Sequence, residues 1–392
     1  MRILHLFANW KWTGPAEPAL NVAWKQAAQH DVLFVSGSSA DGQPSRILPH
    51  VRDRGLATRE GFTLGKHARW RANRADVVRL CALLAEFRPD IVHAHLDNDH
   101  RIATHAVERT GIGRIVRTAY DPDGLPCTLR MRHVARRGLD GLVVTTRSGY
   151  ERTLAGYGGS ARSLSVDGQP RPLVLIEGGV DLERFDPTRV DRTAARARLG
   201  LAPEHVAVGI VARVQAHRRF ELLIEAHTRV VAEHPELRLV VVGRGTQIRQ
   251  LLLDPVEQRG LSGSVLTTGY LAGDDYPAAL GALDACLFLV PGSDGTCRAL
   301  REQTAMGLPA LVTPRPPLPD IVEEGSSGFV VQESVEGIAG GLRRLVGDRE
   351  LRARLREGAL DAARRRFDLR RQATAVTAFY EQVLGERAAI AR

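Results

Sequence analysis

Two acidic residues bracket a glycine-containing turn in the second half of the chain. Asp294 precedes Glu302 by eight positions, and an apolar run at 287–290 comes shortly before the pair. This order predicts a buried strand, a loop and then a helix whose first backbone amides are free to bind an anion. Those amides belong to Gly295, Thr296, Cys297 and Arg298. Carboxylates beside such a site can accept hydrogen bonds from sugar or ribose hydroxyls, although Asp294 can equally be a helix cap and Glu302 a solvated residue.

Three arginines follow the apolar run at 206–211. Arg213 comes directly after this predicted strand, and Arg218 and Arg219 come just before the next predicted helix. Two guanidinium groups about one loop apart can hold a diphosphate, because charge-assisted hydrogen bonds strengthen as negative charge develops on a leaving group. The alternative is a basic, solvated turn in an arginine-rich chain.

The elements that must position these residues alternate along the whole chain. Apolar runs typical of strands are separated by helical patterns, which predicts an α/β protein with parallel sheets built from βαβ units. In the first half the predicted strands are residues 2–7, 31–36, 91–95, 115–118, 141–145 and 173–176. In the second half they are residues 206–211, 237–242, 265–268, 285–290, 309–313 and 328–331. Because ligands bind at the carboxyl ends of such strands, we expect the site in a cleft between two Rossmann-like halves.

A polar stretch rich in arginine and alanine, ending at Gly200, marks the expected domain boundary. We assign residues 1–183 to a first domain and residues 184–392 to a second, and the final charged helices can pack back on the first domain. The length of 392 residues agrees with two domains.

Composition excludes several other classes of protein. Hydrophobic residues make up 44% of the chain and charged residues 25%, which is ordinary for a globular protein. The four cysteines have neither a metal-binding spacing nor the density of a disulfide framework. No run approaches the ~20 apolar residues of a membrane span, and the first apolar run is too short for a signal peptide. We therefore expect a cytoplasmic protein, at most peripheral to a membrane.

The formal net charge of +9 does not by itself indicate a nucleic-acid partner, and we expect none. Only three of the 54 basic residues are lysines, and the sequence contains no recognised nucleic-acid-binding module. Residues 46–79 nevertheless carry nine Lys/Arg against three Asp/Glu. Within residues 64–80, Trp70 is surrounded by Lys66, Arg69, Arg71 and Arg74. This pattern suits the anionic surface of a membrane, and it equally suits a solvated basic helix.

In order and spacing, these motifs resemble the retaining glycosyltransferases of the GT-B type, family 4. Arg213 matches the arginine of the family's Gly-Arg-Leu segment, and Asp294 with Glu302 keeps the spacing of its E-x7-E segment. Residues 178–185 match the family's domain junction, and residues 318–329 match the loop before its last strand. The resemblance covers nearly the whole chain and implies a GT-B fold with two Rossmann-like domains.

In the second domain, the resemblance implies a site for a nucleotide-diphosphate sugar, the donor. Arg213 and Arg218 would stabilise the departing diphosphate, while Asp294 would orient the sugar and Glu302 the ribose. The main chain at Tyr270 and Leu271 would read the nucleobase, although Tyr270 is also a plausible packing residue.

In the first domain, the resemblance implies a glycine turn and a histidine. Gly14 would let the backbone approach the donor phosphate, and Glu17 would lie near the acceptor. His95 would point into the cleft, with a buried core histidine as the alternative. Tyr120 stands where the family has a further histidine.

The reaction implied is a retaining transfer of sugar to a hydroxyl of a glycan, lipid-linked or small-molecule acceptor, and no motif specifies which acceptor. No metal or other cofactor is expected, because the cationic clamp supplies the positive charge that a divalent ion would otherwise provide. We therefore set aside residues 97–99, which spell the metal-binding D-x-D of other glycosyltransferases. We also set aside residues 243–245, a Gly-Arg-Gly that lacks the rest of a dinucleotide fingerprint and suits a strand-to-helix turn.

Several residues depart from the family pattern. Arg218 replaces lysine, Asp294 replaces glutamate, Arg219 replaces glycine and Gly178 replaces asparagine. These departures leave a second hypothesis open, a catalytically impaired protein that still binds nucleotide sugars. A GT-B epimerase, which would change the donor without an acceptor, is a third.

Overall fold

The computed structural model describes residues 1–39, 43–292 and 297–390. These residues form two compact units. The first unit contains residues 1–179 and 369–390, and the second contains residues 180–292 and 297–368. The chain therefore passes from the first unit to the second four residues before the predicted boundary, and its end returns to the first unit.

The first unit is built on a nine-stranded sheet. Its strands, in chain order, are β1 (Arg2–Phe7), β2 (Asp31–Ser36), β3 (Ala57–Thr58), β4 (Ile91–Ala94), β5 (Arg114–Ala119), β6 (Gly141–Val144), β7 (Gly159–Ser160), β8 (Ser163–Val166) and β9 (Gln169–Leu175). They lie in the order β3-β2-β1-β4-β5-β6-β9-β8-β7, and all neighbours from β3 to β9 pair in parallel. The connecting helices are α1 (Ala16–Gln26), α2 (Leu48–Asp53), α3 (Trp70–Phe87), α4 (Asp97–Thr110), α5 (Leu129–Gly138) and α6 (Arg147–Tyr157).

An antiparallel hairpin at the edge of this sheet was not predicted. Strands β8 and β9 are joined by the two residues Asp167 and Gly168, both with positive φ. An Asp-Gly pair between two runs of strand-forming residues favours this type of tight turn. The Asp-Gly pair is thus a local signal for the hairpin in the sequence, beside the pattern that indicates βαβ units.

The second unit is built on a six-stranded parallel sheet. Its strands are β10 (Val206–Val211), β11 (Leu237–Val242), β12 (Val265–Gly269), β13 (Ala285–Phe288), β14 (Ala310–Val312) and β15 (Gly328–Val330). They lie in the order β12-β11-β10-β13-β14-β15. The helices are α7 (Arg192–Arg198), α8 (Phe220–Glu233), α9 (Asp254–Gln258), α10 (Asp275–Gly281), α11 (Arg298–Ala305), α12 (Leu318–Ile321), α13 (Val335–Gly347) and α14 (Arg349–Arg366). Short turns of other helical types lie at Pro187–Arg189, Ala216–Arg218 and Arg249–Leu253.

Burial explains why the central strands are apolar throughout. In β11, Leu239 and Val241 pack into the core on one face of the sheet, while Val240 and Val242 pack into the core on the other. A parallel sheet covered by helices on both faces requires apolar residues at successive positions. The two predicted parallel sheets are confirmed by this architecture.

The last helix, α15 (Leu369–Ile390), belongs to the first unit, where it packs against α1. Its buried residues Val376, Phe379, Tyr380 and Val383 join the core beneath the first sheet. Among the described helices, none combines the length and apolar composition needed to cross a membrane.

Candidate functional site

The carboxyl edge of the second sheet brings together several of the residues selected from the sequence. Strand β10 ends at Val211, and Arg213 follows with an exposed side chain. Within the described part of the chain, the Arg213 guanidinium has no hydrogen-bond or carboxylate partner. An exposed, unpaired cation at the carboxyl end of a central strand is available to a phosphate.

Arg218 has a different role from the predicted one. Its side chain is 8% exposed, and its Nη1 donates to the carbonyl oxygens of Val290 (2.9 Å) and Pro291 (2.6 Å). These bonds tie the turn before α8 to the segment that follows β13. We therefore correct the prediction that Arg218 is a free phosphate ligand: this buried guanidinium is held by main-chain carbonyls and fixes the neighbouring loop.

Arg219 is also engaged, at a backbone position that favours glycine. Its φ is 63°, in the left-handed region, where the resembled family has glycine. Its Nε lies 3.2 Å from Glu221 and 3.3 Å from Glu333. Glu333 also accepts hydrogen bonds from Arg315, which lowers the pKa of the Glu333 carboxyl, with burial opposing the effect. Arg219 is thus part of an ion-pair group with Glu333 and Arg315.

Helix α11 carries the second acid of the predicted pair. Glu302 is 3% exposed, and its carboxylate accepts a hydrogen bond from the Tyr276 hydroxyl (2.9 Å). The Arg298 guanidinium lies 3.1 Å from the other carboxylate oxygen. Cys297, at the start of the helix, is buried and has a φ of 45°. Glu302 is therefore held in one orientation rather than solvated.

Three of the predicted site residues lie outside the described part of the chain: Asp294, Gly295 and Thr296. Their assignment remains a prediction.

The predicted nucleobase loop follows β12. Tyr270 is 67% exposed, and the Arg244 guanidinium lies 5.0 Å from the centre of its ring. The next residue, Leu271, packs against the apolar core of the second unit. Tyr270 is therefore not a packing residue, whereas Leu271 contributes to the core with its side chain.

In the first unit, the predicted glycine turn precedes α1. Gly14 is half-buried, and Glu17 is a half-buried residue in the first turn of the helix. Pro15 precedes the helix with a φ of −68°, which is compatible with helix entry. Glu17 lies in the first turn of α1, the helix that follows β1, and its role at the acceptor stays a prediction.

His95 lies in a buried cluster with His5 and His93. It is 1% exposed, its Nε2 bonds to Nδ1 of His5 (2.9 Å), and its Nδ1 bonds to the Tyr120 hydroxyl (2.7 Å). Both ring nitrogens are therefore used inside the protein. The prediction that His95 reaches a substrate is corrected accordingly: its surroundings are those of a core histidine.

The hydrogen bonds of this cluster have a definite direction. The Gln26 side-chain nitrogen donates to Thr377 (3.1 Å), so its oxygen accepts from Nε2 of His5 (2.9 Å). A neutral His5 must then accept at Nδ1, which makes His95 the donor and Tyr120 the donor to His95. Burial lowers the pKa of His5 to about 4, and burial with neighbouring cationic groups lowers the pKa of His95 well below 6.5. All side chains in this row of hydrogen bonds are therefore neutral.

The ring geometry favours hydrogen bonding over metal binding. The nitrogens of His5, His93 and His95 lie within 4.8 Å of one another. However, the rings of His93 and His95 stack with their planes 27° apart and those of His5 and His95 with their planes 14° apart, while those of His5 and His93 are tilted by 41°. Lone pairs of imidazole nitrogens lie in the ring plane, so the two stacked pairs do not aim theirs at one point. The cluster is a hydrogen-bonded part of the core.

The three residues 97–99 serve separate structural purposes. Asp99 is fully buried and accepts hydrogen bonds from the amides of Ala8 and Leu96, each at 2.8 Å. The side chain of Asn98 donates to the carbonyl of Gly65, and Asp97 pairs with Arg117 at 2.9 Å. The two carboxylates therefore face different partners and do not form a shared metal site.

The second unit of this protein is similar to a known protein family. Residues 191–361 match the family model described as Glycosyl transferases group 1. The second unit contains a glycosyl transferases group 1 domain. Its range includes Arg213, Arg218, Tyr270 and Glu302.

Curated proteins similar to this chain include two that are named as glycosyltransferases. The D-inositol 3-phosphate glycosyltransferase of Stackebrandtia nassauensis is 33% identical over 206 residues, which cover 50% of this chain and 46% of that protein. The D-inositol 3-phosphate glycosyltransferase of Salinispora arenicola is 28% identical over 370 residues, covering 86% and 80%. The chain thus spans less than half of the first relative's length.

Solved structures extend the likeness in fold to nearly the whole chain. Anabaena Alr3699/HepE in complex with UDP is 19% identical, with a TM-score of 0.79 over 97% of this chain and 100% of that chain. Its complex with UDP-glucose is 18% identical, with a TM-score of 0.74 over 99% and 100%. At these identities the likeness concerns the fold, and the predicted GT-B fold class is confirmed.

Sequence analysis missed two residues of the group 1 domain. Tyr276 orients Glu302 from 26 positions away, and Glu333 pairs with Arg219 across more than a hundred positions. Neither lies in a motif or a periodic pattern. Arg244 lies in the Gly-Arg-Gly segment, which the sequence predicts as a strand-to-helix turn. In the structure its guanidinium lies over the ring of Tyr270.

Proposed function

We propose that this protein is a glycosyltransferase that moves a sugar from a nucleotide-diphosphate sugar to an acceptor hydroxyl. The observation that carries the proposal is the carboxyl edge of the group 1 domain. There, Arg213 follows β10 with an exposed side chain that has no partner among the described residues, and α11, the helix after the neighbouring strand β13, carries the fixed carboxylate of Glu302. A cation for a phosphate and an acceptor for hydroxyls are the two groups that such a donor requires.

Arg213 stabilises the departing diphosphate in this proposal. Its guanidinium donates to phosphate oxygens, and the interaction strengthens as the glycosidic bond breaks and charge moves to the leaving group. Arg218 acts indirectly, because its bonds to Val290 and Pro291 hold the segment that leads to the predicted anion site. The amides from Gly295 to Arg298 complete that site, as predicted from the sequence.

Glu302 binds the ribose, and Asp294 orients the transferred sugar. Tyr276 and Arg298 hold the Glu302 carboxylate in place, and a carboxylate oxygen is a group that accepts hydrogen bonds from ribose hydroxyls. The complex of HepE with UDP supports a nucleoside diphosphate as the product that this edge binds.

The transfer is retaining and independent of metal ions in this proposal. Its support is the sequence resemblance together with the positive charge of Arg213. The leaving phosphate takes the proton of the acceptor hydroxyl on the same face of the sugar, so the configuration at the anomeric carbon is kept.

In the first unit, Gly14 lets the backbone approach the donor phosphate, and Glu17 acts at the acceptor. His95 is a positioning residue, since its hydrogen bonds to His5 and Tyr120 fix the end of β4 in the core. The acceptor is a glycan, a lipid-linked or a small-molecule acceptor, and the names of the two curated relatives support a polyol phosphate among the small molecules.

A lipid-linked acceptor would bring the protein to a membrane, and α3 has the surface for this contact. Trp70 is 73% exposed and Val78 59% exposed, and both lie on one helical face with Arg74 between them. Exposed aromatic and basic side chains on one helix suit the interface of an anionic membrane. We propose this helix as a peripheral membrane contact.

Nucleotide release from a panel of nucleotide sugars, measured with and without EDTA, tests the proposed function. We expect release from at least one donor, unchanged by EDTA, and NMR of the product should show retention at the anomeric carbon. Release that needs a divalent metal would contradict the metal-independent mechanism. Binding without release from any donor would support the impaired protein instead.

A further inference from the structure

The loop between β1 and α1 contains the sequence Trp-Lys-Trp and is held in place by the residue before it, Asn9. Asn9 is buried, and its side-chain oxygen accepts hydrogen bonds from the amides of Trp10 (2.9 Å) and Lys11 (3.1 Å). Its carbonyl oxygen accepts from the amide of Gly37, the residue that follows β2, at 3.0 Å. The carbonyl oxygen of Trp10 accepts from the amide of Arg46 at 2.9 Å. The main chain that carries Trp10 and Lys11 is therefore fixed after the end of β1.

The two tryptophans of this loop have different surroundings. Trp12 is half-buried, packs against the apolar core beneath the first sheet and lies over the His50 ring, with 3.9 Å between the ring centres. Trp10 is also half-buried, but its ring packs against none of the apolar cores that the described residues form. Its indole N–H has no hydrogen-bond partner among the same residues. Trp12 thus stabilises the loop, whereas the Trp10 ring is available for a ligand.

A positive charge lies next to the Trp10 ring. Lys11 is exposed, and its ammonium nitrogen lies 5.2 Å from the centre of that ring, within the range of a cation–π interaction. Across residues 1–39, 43–292 and 297–390, which the structure describes, this ammonium group has no carboxylate partner. Its N–H groups can therefore donate to an anion. An indole ring beside an unpaired ammonium group suits a ring-shaped ligand that carries a negative charge.

The position of the loop in the fold indicates which ligand this is. The loop follows the carboxyl end of β1, an inner strand of the first sheet, and ligands bind at that end of the strands in open parallel sheets. The same loop leads into α1, whose first turn contains Glu17, the residue proposed at the acceptor. Sugars and cyclitols have C–H faces that pack on an aromatic ring and hydroxyls that accept from an indole N–H. The pair therefore suits the acceptor rather than a part of the fold.

We propose that Trp10 and Lys11 bind the acceptor, and that the acceptor is a sugar or cyclitol ring with an anionic group. The proposal rests on the proposed function and adds to it two acceptor-binding residues and the charge of the acceptor. One face of the acceptor ring packs on the Trp10 indole. The Lys11 ammonium group donates to phosphate or carboxylate oxygens of the same molecule. Lys11 is then the residue that distinguishes charged from neutral acceptors.

NMR titration of the whole chain with matched probes separates the contribution of the ring from that of the charge. The anionic probes are glucose 6-phosphate, myo-inositol 1-phosphate and glucuronate, and the neutral probes are glucose and myo-inositol. At least one anionic probe should bind about tenfold more tightly than its neutral counterpart. The comparison of glucose 6-phosphate with glucuronate tells phosphate from carboxylate.

Two variants assign these contributions to residues. Trp10→Ala should weaken the preferred anionic probe and its neutral counterpart alike, each about tenfold. Lys11→Gln should weaken only the anionic probe and so remove the difference between the two. Lys25→Gln is the matched control, because its ammonium nitrogen also lies over a tryptophan, 3.7 Å from the centre of the Trp24 ring, but in the last turn of α1. It should bind every probe like the wild type.

Thermal stabilisation by UDP, GDP and ADP shows whether the variants fold and whether the donor site is intact. Trp10→Ala and Lys11→Gln should be stabilised like the wild type. Unchanged probe affinity in either variant, no preference for an anionic probe, no binding of any probe, or a loss of nucleotide stabilisation in either variant would overturn this inference and leave the proposed function standing. No stabilisation of the wild type by any of the three nucleotides would instead count against the proposed function.

Discussion

Three arginines near β10 share a residue type but have different environments. Arg213 is exposed and unpaired among the described residues, Arg218 is buried against main-chain carbonyls, and Arg219 is paired with two glutamates. Burial and local partners, rather than charge alone, decide which guanidinium is available to a ligand. Of the three, Arg213 has the properties that a phosphate ligand needs.

Replacing Arg213 by alanine should slow the reaction while leaving the fold intact. The loss of a charge-assisted contact to the leaving group should cost on the order of 3 kcal/mol, or roughly a hundredfold in kcat/KM. Arg249→Gln serves as the control, because the side chain of Arg249 is 81% exposed. This variant should retain wild-type kcat/KM. Near-normal kcat/KM in Arg213→Ala would mean that the diphosphate is held elsewhere.

Substitutions of Arg219 measure how much a side chain at a left-handed backbone position lowers the free energy of unfolding. At a φ of 63°, glycine avoids a backbone penalty of about 1 kcal/mol that alanine retains. The ion pairs of Arg219 involve a side chain that is 40% exposed, so their loss, common to both variants, should be small. Urea unfolding should therefore find Arg219→Gly about 1 kcal/mol more stable than Arg219→Ala. Equal stability of the two variants would argue against strain at this position.

At the scale of elements, the histidine cluster joins α15 to the first sheet. His5 lies on β1 and His93 on β4, where they are paired in register, and Tyr380 and Thr377 lie on α15. Tyr380 bonds to His93, and Thr377 accepts from Gln26, which bonds to His5. The last helix is thus attached through a network whose histidines must be neutral.

This network predicts a loss of stability in acid. Burial lowers the pKa of His5 from 6.5 to about 4 and the pKa of His93 well below 6.5, so protons bind the unfolded chain in preference. The contribution of the neutral histidines to the free energy of unfolding is complete above pH 6.5. It falls as the pH drops toward 4, by up to about 1.4 kcal/mol per pH unit for each histidine. The melting temperature should fall between pH 7 and pH 5.

Protonation of Asp99 has the opposite effect on stability from protonation of the histidines. Burial raises its pKa from 3.8 to about 7, so the folded chain gains a proton there that the unfolded chain lacks, and acid favours folding at this one group. The histidines outnumber it, so the net effect remains a loss in acid. His5→Gln should be less stable than wild type at pH 7.5 and lose less stability by pH 5. An unchanged slope would show that His5 does not titrate as inferred.

The basic residues at and before the start of α3 should give salt-sensitive binding to anionic vesicles. Lys66, Arg69, Arg71 and Arg74 are exposed, and each adds about 1 kcal/mol of attraction near an anionic surface. Co-sedimentation should require anionic lipid, weaken with added salt and decrease when all four residues become Gln. The same four-residue change should leave donor turnover in solution intact. Equal co-sedimentation of wild type and variant would leave a soluble acceptor as the better proposal.

At the scale of the whole molecule, the sequence predicted the two parallel sheets because their central strands are buried on both faces. Successive apolar residues in β10 and β11 leave few alternatives once helical patterns separate them. The hairpin of β8 and β9 was missed although Asp167 and Gly168 encode its turn. The return of α15 to the first unit depends on contacts more than two hundred positions apart, which no local pattern records.

The candidate site was predictable where a residue type follows directly from a strand end. Arg213 lies directly after β10 for this reason, and Glu302 lies on α11, the helix predicted after the next apolar run, while their roles at the donor stay predictions. The roles of Arg218 and His95 were not predictable, because they depend on burial and on partners from distant segments. Local sequence identifies the groups that could react, while tertiary packing determines which of them stay available.

Thermal stabilisation by nucleotides tests the central claim, that the carboxyl edge of the second sheet binds a nucleoside diphosphate through Arg213. Wild type and Arg213→Ala are heated in parallel with UDP, GDP and ADP. At a hundredfold excess over Kd, one of the three should raise the melting temperature of the wild type by roughly 5 °C and that of Arg213→Ala by much less. No shift with any nucleotide, or an equal shift in both proteins, would contradict the account.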